Sequence, residues 1–171
     1  MRSVYSPESS PESFTVVVVV DVEPFDSIFP LSPHAVGLSV LNNGVQAVIL
    51  DPAQDGIQQI ASFLASRGGR KLGSIAIVSH GANGMMQLGT TFLDSASIAL
   101  YAPELAAIGA ALDAGGDLML FGCDVAQSAS GVAFVHALSD AMGGIDIAAA
   151  SHLVGAADQG GSFNLDVNTG A

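Results

Sequence analysis

The chain has 171 residues, half of them hydrophobic, with 16 acidic against 4 basic side chains and a formal net charge of -12. So negative a chain argues against nucleic acid and anionic lipid as partners, since both recruit cationic surface. No run reaches the roughly 18 apolar residues of a membrane helix, so membrane insertion is not expected, and a single cysteine excludes an internal disulfide.

Residues 1–13 are Ser/Pro/Glu-rich and lack the basic start and apolar middle of a signal peptide, so they read as a disordered leader or linker. Residues 14–171 read as one domain. A β-branched run over Phe14–Val22 predicts a first strand buried on both faces, stopped by Pro24. Residues 26–43 carry turn signals and are expected to be irregular. Val45–Leu50 predicts a second strand. A helix follows over Gly56–Ser66, with Ile57, Ile60, Phe63 and Leu64 on one face and Gly68-Gly69 ending it.

Ile75–Val78 predicts a third strand, and Ser79–Gly84 a turn. Met85–Leu88 and Thr91–Leu93 flank Gly89 as a hairpin. Pro103 suits the first turn of a helix running to about Ala111. Asp117–Phe121 is the fourth strand. Gly131–Met142 is a helix with Val132, Val135, Leu138 and Met142 on one face. Ile145–Ala150 is the fifth strand, and residues 162–167 an edge strand or end hairpin.

This alternation predicts an α/β sandwich with a mostly parallel sheet. Chemistry in such sheets sits beyond the carboxyl ends of the strands. His80 follows strand three there and Cys123 follows strand four. A thiol and an imidazole side by side make a minimal nucleophilic machine: the ring takes the thiol proton and returns it to a leaving amine. Gly81 and Gly122 leave room for a substrate backbone, and amides near Gly81 and Cys123 can donate to an oxyanion. The bland alternative is a small buried hydrophobe and a loop histidine. Among the other histidines, His34 lies in a Pro-rich loop and His136 on the exposed side of a helix. His152, also at a strand end, is the stronger rival.

The blocks "AIVSHGANG" and "LMLFGCDVA", in that order, resemble the His-Gly and Cys blocks of the caspase-like cysteine peptidases, the group of legumain, gingipain and the caspases. More closely, residues 14–171 resemble the DUF4347 family. The blocks that carry this are "VVVVVD", "AVILDPAQDGIQQI", "IVSHGANGMMQLGTTFLD", "YAPELAAIGAALDAGGDLMLFGCDVA" and "VGAADQGGSFNLDVNTG". That family occurs near the start of very large secreted bacterial adhesin-like proteins with cadherin-like or RTX repeats. The resemblance implies a caspase-like three-layer α/β/α sandwich. It implies a secreted or cell-surface setting within a larger bacterial protein, and a cysteine endopeptidase acting on polypeptide, its own chain or neighbouring domains included.

Carried over, His80 is the general base and acid, Cys123 the nucleophile and Gly81 an oxyanion donor. Asp21, Asp124 and Ser151 are candidates for the substrate pocket. Caspases proper bind an acidic side chain with arginines; here Arg2, Arg67, Arg70 and Lys71 are the only cations. An acidic or small pocket, suited to basic, Asn or small residues, is the expectation. No cofactor is required. Calcium is an activator to consider, given the acidity, although no Asp-x-Asp-x-Asp loop appears.

Three rivals stand beside this reading. One is an inactive caspase-like binding module. The second, an α/β-hydrolase, needs a G-x-S-x-G elbow or its Cys version, and Val125 stands where the last Gly belongs. The third is a zinc site of His80, Cys123 and His152.

Overall fold

A computed structural model describes the backbone of residues 16–21 and 39–41 and the whole of residues 45–170. The strands are β1 (Val16–Asp21), β2 (Ser39–Leu41), β3 (Val45–Leu50), β4 (Leu72–Val78), β5 (Gly81–Ala82), β6 (Met85–Leu88), β7 (Thr91–Asp94), β8 (Leu112–Phe121), β9 (Asp146–Ala149) and β10 (Val167–Asn168). The α-helices are α1 (Gly56–Ser66), α2 (Ala102–Ala110) and α3 (Ala129–Ala141).

Each helix begins where the sequence gives it a reason to. Asp55 caps α1, its carboxylate accepting the Gln58 N–H at 3.0 Å. Ile57, Ile60 and Leu64, spaced three and four apart, form its buried face. Pro103 stands in the first turn of α2. Ser128 caps α3, which starts two residues before the expected Gly131 and buries Phe134 as well as Val135 and Leu138.

The central sheet has the order β10-β9-β8-β4-β1-β3-β2. Its five inner strands are parallel, and the two edge strands run against them. Two expectations change at the edges. Residues 39–41 form β2 where irregular chain was expected, and the last strand forms only at Val167–Asn168 rather than over 162–167. The expected turn at 79–84 contains β5, which joins the β6–β7 hairpin in a separate three-stranded sheet.

From β3 onward each crossover steps the same way across the sheet: over β1 to β4, then to β8, then to β9. Right-handed connections therefore place α1, α2 and α3 on one face, and α1 packs on α2, and α2 on α3. The second helical layer of the expected sandwich has no counterpart among the described residues. The core lies between this helical layer and the sheet. Ile75 and Ile77 of β4, Leu118 and Leu120 of β8, and Ile147 of β9 are buried there with Leu105, Ile108 and Phe134. Each such side chain contributes about 1.5–3 kcal/mol. The chain is thus an α/β protein with a mostly parallel sheet.

Strand order reverses at β1, which has β3 on one side and β4 on the other. In open parallel sheets this switch point makes a crevice at the carboxyl ends. Asp21 ends β1 there, and Ser79-His80 follow β4.

Candidate active site

β4 and β8 pair in register up to Val78 opposite Phe121. The residues that follow, Ser79-His80-Gly81 and Gly122-Cys123-Asp124, therefore leave the sheet side by side. The Ser79 N–H donates to the Phe121 carbonyl at 3.3 Å. The two turns then touch. A Cβ added at Gly81 would lie 2.7 Å from the Cys123 carbonyl oxygen and 3.0 Å from its nitrogen, and one at Gly122 would lie 3.5 Å from the Gly81 Cα. At position 81 only glycine allows this approach.

Gly81 is also oriented by its ladder. The Gln87 N–H donates to the His80 carbonyl at 3.0 Å, and Gly81 stands opposite Met86 in the next, non-hydrogen-bonded position. Its own N–H is therefore turned away from β6. The His80 side chain is exposed and that of Cys123 half-buried.

After Cys123 the chain reverses. Asp124 has φ 58°, in the left-handed region, the one such non-glycine among the described residues. Residues 124–126 then run against 150–152: the Asp124 N–H donates to the His152 carbonyl at 3.0 Å, and the Ala126 N–H to the Ala150 carbonyl at 2.9 Å. On the other flank the Val125 carbonyl accepts the Gly84 N–H at 2.9 Å. Asn83 adds a side-chain tie, its Oδ1 accepting the Ser128 N–H at 3.2 Å and its Nδ2 donating to Ser130 Oγ at 3.1 Å. The cysteine segment is thus the middle of three rim segments, with the histidine turn on one side and the chain beyond β9 on the other.

Over residues 35–171 the chain matches the family described as a domain of unknown function, DUF4347. The chain belongs to the DUF4347 family. No curated protein and no solved structure matches it.

The DUF4347 domain brings His80, Gly81, Gly122 and Cys123 together at one rim. Asp124 sits there too, but its carboxylate accepts from Gln127 Nε2 at 3.2 Å. Ser151 is turned to the far side of its segment: its N–H donates to Asp166 Oδ1 at 2.8 Å and its hydroxyl to Asp166 Oδ2 at 2.5 Å. Asp21 ends β1 opposite Leu50; its side chain, like His34, lies outside the described residues. The rival His152 has Nδ1 3.0 Å from the Leu153 carbonyl oxygen and Nε2 3.7 Å from Asp166 Oδ1. Among the described residues no three His, Cys, Asp or Glu side chains are grouped to hold a metal ion. A shallow, mostly apolar cleft of about 350 Å³, lined by Gly109, Leu112, Met142 and Ile145, opens at the opposite end of the strands, away from this rim.

Three contributors carry no signal in the sequence. Asn83 reads there only as part of an Asn-Gly turn. Asp166 is a single carboxylate in the C-terminal segment. Val154 meets Cys123 only through its main chain: its N–H donates to Sγ at 3.4 Å, and Sγ lies 3.7 Å from its carbonyl oxygen.

Proposed function

We propose that this DUF4347 domain is a cysteine endopeptidase with His80 and Cys123 as its dyad. The supporting observation is the contact between the Gly81 and Cys123 backbones, which sets an exposed imidazole and the chain's one thiol on abutting turns at a strand-end rim. The thiol proton passes to His80 as Sγ attacks a peptide carbonyl. The Gly81 N–H, turned out of its ladder, and the Cys123 N–H donate to the resulting oxyanion. His80 then protonates the leaving amine, the C–N bond breaks, and water hydrolyses the thioester to regenerate the thiol. The substrate is polypeptide. That polypeptide is its own chain, or a neighbouring domain in a larger secreted or cell-surface protein.

Mass spectrometry of the protein incubated with a mixed peptide library tests this. New fragments are expected with the native chain, and cleavage at least about a thousandfold slower with Cys123→Ala and with His80→Ala. Identical fragments from native and Cys123→Ala chains would refute it.

A second reading, a non-catalytic binding module on the same fold, draws on one observation: the sulfur is already hydrogen-bonded to the Val154 peptide group. It predicts no fragments, and thiol labelling indifferent to His80→Ala.

A further inference from the structure

The peptide group of Val154 occupies one side of the Cys123 sulfur, as donor through its N–H and as acceptor through its carbonyl. What holds Val154 there is the segment before it. Ala150 and His152 turn their carbonyls inward to the Ala126 and Asp124 amides. Ser151, between them, turns outward and gives both its N–H and its hydroxyl to Asp166. The His152 ring lies beside the same carboxylate, its Nε2 3.7 Å from Asp166 Oδ1. Asp166 comes from the chain just before β10, so one carboxylate ties the terminal edge of the sheet to the segment that covers the sulfur. Further along, the Ser162 N–H donates to the Leu153 carbonyl at 3.0 Å, closing residues 153–162 into a loop.

We propose that Asp166 is a positioning residue for Cys123. It braces residues 150–154 from outside, keeps the Val154 peptide group against the sulfur, and so sets the rate at which that thiol reacts. As a role in catalysis this rests on the peptidase reading; as a control on thiol chemistry it stands without it. Asp166 touches no reacting atom. Its effect passes through Ser151 and the main chain.

The reaction of Cys123 with a small pyridyl disulfide at neutral pH reads the brace directly. The sulfur attacks the reagent's S–S bond, a mixed disulfide forms, and the released thiopyridone is followed by absorbance. Asp166→Ala removes a charge-assisted pair of hydrogen bonds, so reaction about tenfold faster than native is expected. Asp166→Asn keeps an acceptor for the Ser151 N–H and is expected to stay within about threefold of native. Amide hydrogen exchange should quicken at Ser151 and Val154 in Asp166→Ala and stay unchanged in β8 and β9, which separates local release from unfolding. A native reaction rate in Asp166→Ala with that core protection intact would overturn the proposal. If Asp166→Ala loses core protection, Ser151→Ala takes its place, since it removes only one hydroxyl donor. A rate raised about threefold supports the brace, and an unchanged rate overturns it. A native chain that cleaves no peptide would sink the peptidase reading and leave these rates as they are.

Discussion

Asp124 turns the chain through a left-handed residue directly after the candidate nucleophile. That conformation costs an L-residue roughly 1–2 kcal/mol, less for Asp, whose short side chain bonds locally. Here the Gln127 side chain and the two main-chain bonds to 150 and 152 hold it. A β-branched side chain has no such relief. Asp124→Val is expected to lower stability by about 2 kcal/mol, read as the shift in a urea unfolding midpoint. At the neighbouring turn, the Cβ of Gly81→Ala would meet the Cys123 carbonyl oxygen and Val125 Cγ2, each at 2.7 Å, and the Cys123 nitrogen at 3.0 Å. The two turns must separate, and peptide cleavage should fall well before unfolding is seen. Cleavage at the native rate by a folded Gly81→Ala chain would show that the approach has no part in catalysis. His80, Gly81, Gly122 and Cys123 were all legible from strand-end position alone. Asp166 and Val154 were not, because their contacts join residues 15 and 31 positions apart in the chain, and each involves a backbone N–H of the kind nearly every residue has.

The elements themselves follow local rules, and their contacts add what local rules omit. Gly109 near the end of α2 is an example. Alanine is the better helix former by about 1 kcal/mol. Yet a Cβ at Gly109 would lie 1.9 Å from the Met142 carbonyl oxygen, because α3 ends against α2 there. Overpacking of that kind costs about 1–3 kcal/mol, so Gly109→Ala is expected to destabilise by about 1–2 kcal/mol in urea unfolding. Of the four cations in the chain, Arg70 and Lys71 sit at helix carboxyl ends, while the Arg67 guanidinium donates to the Gln46 side chain on β3. Arg70 donates to the Arg67 carbonyl at 3.1 Å and Lys71 to the Ala110 carbonyl. Positive charge at helix carboxyl ends is stabilising.

Across the whole molecule the acidic balance shapes the response to pH. Among the described residues, three carboxylates sit below their ordinary range. For Asp55 burial pushes the other way, but the Gln58 N–H and Tyr101 hydroxyl outweigh it. Asp94 is lowered by the Ser97 N–H and hydroxyl, and Asp166 by the Ser151 hydroxyl and N–H. Each folded value lies below the unfolded one of about 3.9. Their contribution is therefore present above that pH and is lost as pH falls through the lowered values, because the unfolded chain then binds more protons. Urea midpoints are expected to stay flat from neutral pH to about pH 5 and to fall below about pH 4. A midpoint that rises on acidification would mean that relief of the net charge of -12 outweighs these three groups.

The β-branched run of β1, the spaced apolar residues of α1 and the Pro103 start of α2 are properties of neighbouring residues, so the amino-acid order alone determined those elements and the strand ends that carry His80 and Cys123. Strand order, the reversal at Asp124, the pairing of 124–126 with 150–152, and the partner of the sulfur were decided only in three dimensions. Hydrogen bonds between distant segments depend on how a whole sheet and its helical layer pack, and no local pattern of side chains encodes that.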